Sequence, residues 1–199
     1  MSESLAAWEN FYIIVGSSAG ALTGLLFVVI SLNAGRRQRR ANWGVATFTT
    51  PTVVHMGAVL FIAALLSAPW ATLTPPALLL GLAGLGGIGY VTIVLRRMRC
   101  RLGYHPVAED RLGFVIGPYV AYAVFLVAAL LLPGSPEGPL FAIGGAMLLL
   151  VLVGLHNAWN LATFISLTTL SQAQQAEAAP HDTDDTADEK RDMDDAEYR

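Results

Sequence analysis

The stretch "IIVGSSAGALTGLLFVVISLN", residues 13–33, carries no charged side chain and places glycine at 16, 20 and 24. At about 1.5 Å per residue it is long enough, as a helix, to cross the roughly 30 Å hydrocarbon core of a bilayer. The rest of the chain repeats the pattern. No Asp, Glu, Lys or Arg falls between Arg40 and Arg96, and only Glu137 falls between Arg111 and Glu177. The mean hydropathy is +0.54. Five apolar segments follow, at about 11–33, 45–68, 76–95, 112–132 and 140–169. Period-two alternation is absent, which argues against a β-barrel. The expected fold is all-α: a five-span polytopic domain over 1–170, then an acidic cytoplasmic tail over 171–199 that is too polar to form a core.

Charge sets the expected orientation. "RRQRR" at 36–40 follows the first segment, and "RRMRCR" at 96–101 with Arg111 follows the third. Together they hold nine of the twelve basic residues, whereas the connections "PWATLTP" and "PGSPEGP" hold none. The positive-inside rule then puts the N-terminus outside and the C-terminus in the cytoplasm. Trp8 and Trp70 fall at the outer interface and Trp43 at the inner one. The N-terminal "MSESLAAWEN" lacks the basic region of a signal peptide, so the first segment reads as a retained helix. The arginine clusters suit anionic lipid headgroups rather than nucleic acid.

Gly16, Gly20 and Gly24 share one helix face and form a doubled GxxxG. In lipid, helices associate by close backbone packing, which such a face permits. The neighbour is another helix of this chain or a second copy. In "GLAGLGGIGY", Gly84, Gly86 and Gly89 match a dinucleotide fingerprint only formally. They lie inside an apolar span with no preceding strand, so a packing face is the better reading.

Polar groups inside spans are costly and need a reason. Counted from the outer ends, His55 lies roughly 21 Å deep and His156 roughly 25 Å. The same depth falls on Thr23, Tyr90 and Tyr119 in the other segments, and "HNAWN" adds Asn157 and Asn160. The expectation is a buried polar layer of Thr23, His55, Tyr90, Tyr119, His156, Asn157 and Asn160. It would fix helix register by hydrogen bonds, line a proton or ion path, or ligate haem b through His55 and His156. No membrane-level carboxylate or thiol completes a metal shell. Cys100, the one cysteine, excludes an internal disulfide. No nucleophile elbow, phosphate loop or HExxH is present, and the expectation is a non-enzymatic protein.

"WENFYIIVGSSAGALTGLLFVVISLN", "TPTVVHMGAVLFIAALLSAPW" and "HNAWN" resemble a family of small bacterial five-helix integral membrane proteins. Its members often carry the label "modulator of FtsH protease", after a membrane-anchored ATP-dependent protease. The resemblance covers the five segments and omits the tail. It implies a bacterial inner-membrane location and assigns no catalytic residue. With the packed glycine helices and the histidine layer, the functional expectation is a regulatory partner of membrane proteins or a small ion or proton conduit, with a haem-binding redox protein as the alternative.

Overall fold

The computed structural model describes residues 3–34, 41–102 and 115–178, and every element among them is helical. A short α1 (Glu3–Ala6) precedes α2 (Glu9–Ala34), α3 (Ala41–Ser67), α4 (Thr74–Leu102), α5 (Gly117–Leu131) and α6 (Glu137–Ala178). Four of these contain segments long and apolar enough to cross a membrane: Glu9–Ser31, Thr50–Ser67, Thr74–Arg96 and Glu137–Asn160. The fifth apolar helix, Gly117–Leu131, is shorter at 15 residues. One wide helical turn, residues 115–116, leads into it.

The boundaries differ from the sequence reading at several places. Helix α3 begins at Ala41, four residues before the expected start at 45, and runs through Pro51. Proline removes one backbone hydrogen bond, and in membrane helices neighbouring side chains and local backbone adjustment offset that loss. Helix α6 continues to Ala178, eight residues into the segment expected to be an unstructured tail. "SQAQQAEA" is rich in Ala and Gln, both good helix formers, so propensity carries the helix past its last apolar turn. The cluster "RRQRR", the turn "YHPVAEDR" and residues 179–199 lie outside the described residues.

The chain divides into two compact units, residues 1–162 and 163–199. The first is an up-and-down bundle whose register is visible in its glycine contacts. A Cβ on Gly16 would lie 2.8 Å from the Ala63 Cβ, and one on Gly20 would lie 4.0 Å from Leu60. Helices α2 and α3 therefore run antiparallel. Gly81 faces Ala129, Gly84 faces Leu126 and Tyr122, and Gly87 faces Tyr122, so α4 and α5 are antiparallel as well. Gly144 of α6 meets Trp8 and Phe11, while Gly154 meets Met56 of α3. One end of the bundle carries the Trp70 and Pro133 connections. At the opposite end lie Ala34 of α2, Ala41 of α3 and the C-terminal turns of α4 that begin at Arg96.

The doubled GxxxG is only partly used inside the bundle. Gly16 is buried and Gly20 half-buried against α3, but Gly24 is exposed with nothing within 4 Å of an added Cβ. Of the three fingerprint glycines only Gly84 packs. Gly86 and Gly89 face open space, and Gly81 and Gly87 complete the real contact face. The second unit, residues 163–199, is described through Ala178 as the helical continuation of the chain.

Candidate functional site

Toward the arginine end, the α3 core stripe turns polar. Thr52 and His55 are buried there, one turn before Met56 and Val59. His55 Nδ1 and the Tyr122 hydroxyl are hydrogen-bonded at 2.9 Å. The Tyr90 ring approaches His55 edge-on, with centroids 6.2 Å apart and planes at 85°. The Tyr122 ring can reach His55 because it lies in the notch at Gly87, where any Cβ would overlap it. Gly84 brings the α5 backbone equally close, since its Cβ would stand 3.0 Å from Leu126 N and Tyr122 O. The glycines of α4 thus place the phenol that the histidine binds.

A second polar contact lies one turn nearer the arginine end. The Thr92 hydroxyl donates to Ile88 O at 2.7 Å. Thr92 Oγ1 is also hydrogen-bonded to the Tyr119 hydroxyl. Thr92 has a single proton, committed to Ile88, so Tyr119 is the donor in that pair. Asn157 is buried on α6 among Leu150, Val153 and Gly154, and neither its Nδ2 nor its Oδ1 has a hydrogen-bond partner among the described residues.

The single seven-residue layer therefore resolves into four sets, of which buried Asn157 alone is one. His55 and Tyr90 meet each other, and Tyr119 is bonded to Thr92, two residues after Tyr90 on α4. Thr23 belongs to none of these contacts, because its hydroxyl donates to Ala19 O of its own helix at 2.8 Å. His156 and Asn160 are exposed rather than buried, and Asn160 Nδ2 donates to His156 Nε2 at 3.1 Å. Depth counting finds the level of a residue but not its side of the helix, and a 100° step per residue turns Asn157 inward while His156 faces out. A haem held by two imidazoles needs both on one buried face. His55 is in the core and His156 on the outer surface with its Nε2 engaged, so this pair does not fit haem b.

Tyr122, Thr52 and Thr92 are the site residues that depth counting missed. Tyr122 lies one turn from Tyr119, and the buried stripe Pro118, Ala121, Tyr122, Phe125, Ala128, Ala129 is the signal that marks it.

Beyond His55, toward the Trp70 end, the core changes character. Val59, Ile62, Leu66, Leu80, Phe125, Ile143 and Met147 are fully buried in one apolar cluster. Among the described residues, buried polar groups recur near the end itself. Tyr12 is buried beside Trp8, with ring centroids 6.1 Å apart, and Trp70 Nε1 donates to Leu65 O at 2.6 Å.

Compared with known proteins, the chain matches no family model, no curated protein and no solved structure.

Proposed function

We propose that this chain is a five-span bacterial inner-membrane protein that acts, without catalysis, as a regulatory partner of other membrane proteins. The N-terminus lies outside and the C-terminus in the cytoplasm, following the arginine distribution. Helix α5 supplies the fifth span. Its length is marginal, but it runs antiparallel along α4 from the Gly81–Ala129 contact to the Thr92–Tyr119 pair and so shares the depth of α4.

The observation that carries the partner role is on α2. Ser17, Ala21 and Gly24 are all exposed and lie along one side of α2, beside the Gly16 and Gly20 contacts with α3. A small-residue face turned toward lipid is the kind of surface on which membrane helices associate. The apolar cluster beyond His55 favours the same reading over a conduit, since it interrupts any polar path between the two ends. The resemblance to the family labelled "modulator of FtsH protease" points to a membrane protease as one such partner.

Cysteine cross-linking in native membranes tests this. In a Cys100→Ser background, Ala21→Cys is expected to cross-link to a different membrane protein, and Gly24→Leu is expected to abolish the product while the bundle stays folded. No product, or a product only with a second copy of this chain, would overturn the regulatory reading.

A further inference from the structure

Asn157 is 2 % exposed, yet both its amide nitrogen and its amide oxygen lack a hydrogen-bond partner among the described residues. A buried amide in an apolar bundle loses free energy on both counts, so such groups are almost always satisfied. The requirement here is specific. Nδ2 must donate and Oδ1 must accept. A cation would satisfy only the oxygen and an anion only the nitrogen. A small guest that both donates and accepts satisfies the pair.

The surroundings locate that guest. Leu150, Val153, Gly154 and Asn157 form the buried stripe of α6. On α3, Met56 faces that stripe, and Thr52 and Val59 are buried on the same side of the helix. Met56 fills the notch at Gly154, whose Cβ would overlap the Met56 methyl and lie 3.4 Å from its sulfur. Asn157 follows Gly154 by three residues, one turn nearer the arginine end, and neighbours it on the same face. Because α3 and α6 are antiparallel, the next α3 turn in that direction carries Thr52, a second buried polar residue.

We propose that Asn157 holds ordered water in the seam between α3 and α6, beneath the Met56–Gly154 contact and level with Thr52. Water is the amphiprotic ligand small enough for a helix–helix seam, and buried water commonly serves polar groups that protein cannot reach. The seam is then wet at Asn157 and dry at Met147, two turns beyond Gly154 in the apolar cluster.

Radiolytic labelling in H2(18)O of the full chain in lipid nanodiscs tests the proposal. Hydroxyl radicals form from water on the spot, and methionine sulfur is readily oxidised. Met56 and Met147 are both buried, at 1 % and 0 % exposure, so bulk solvent does not separate them. Met56 is expected to gain labelled oxygen at least five times faster than Met147, and Asn157→Leu is expected to bring it down to the Met147 rate. Equal rates for the two methionines in the unaltered chain would overturn the proposal. So would a fast Met56 rate that persists in Asn157→Leu. The comparison within the unaltered chain stands even if that variant does not fold.

Discussion

In the half of the bundle nearest Trp70, the core is Ile62, Leu66, Leu80, Phe125, Ile143 and Met147; in the half nearest the arginines, it includes Thr52, His55, Tyr122 and Asn157. The two halves solve one packing problem by different means. In lipid, leucine against leucine gains nothing over leucine against an acyl chain, so the apolar half is held by shape alone. The polar half has directional contacts. The His55–Tyr122 bond joins α3 to α5, and the Thr92–Tyr119 bond joins α4 to α5. Shape tolerates sliding by a fraction of a turn, whereas a hydrogen bond between buried groups does not. The polar half therefore sets register, and the apolar half seals it from the other face.

Substitutions on each side sharpen that contrast, measured as reversible unfolding in bicelles. The largest expected effect is Gly87→Ala. Its Cβ overlaps the Tyr122 ring, so the ring must leave its notch and the His55 bond is lost. The expected cost is about 3 kcal/mol. Next is Phe125→Ala in the sealed half, at about 2 kcal/mol. Lipid rather than water surrounds the unfolded helices, so the transfer contribution shrinks and the cavity contribution remains. Tyr122→Phe keeps the ring and removes only the hydroxyl, leaving His55 Nδ1 without its partner, and is expected to cost about 1 kcal/mol. Gly24→Ala is the smallest, within about 0.5 kcal/mol, because the position faces open space. Should Phe125→Ala prove harmless while Tyr122→Phe unfolds the chain, the division between shape and register is wrong.

Much of the architecture was legible in the sequence because membrane spans announce themselves by length and by the absence of charge. The helical class and the long apolar helices followed from that alone. The site was legible only in part. His55 stood out because an imidazole in an apolar run needs a reason, and it is the residue around which the polar contacts gather. Its partner did not stand out. Tyr119 and Tyr122 lie within one turn at nearly the same depth, and only the packed α4–α5 pair, where Gly84 and Gly87 make room for the ring, decides that Tyr122 reaches His55. His156 and Asn157 show the same limit more sharply. They are adjacent in sequence and equal in depth, yet one is exposed and the other buried. Facing is a property of the packed bundle, and a span that is apolar all round carries little amphipathic signal from which to read it.

Proton flux into liposomes containing the purified chain, driven by a pH gradient and a potassium diffusion potential, tests the central claim most directly. The apolar cluster beyond His55 predicts a rate equal to that of protein-free liposomes, unchanged by His55→Ala. A flux well above that background that falls in His55→Ala would contradict it and make the polar half one end of a path.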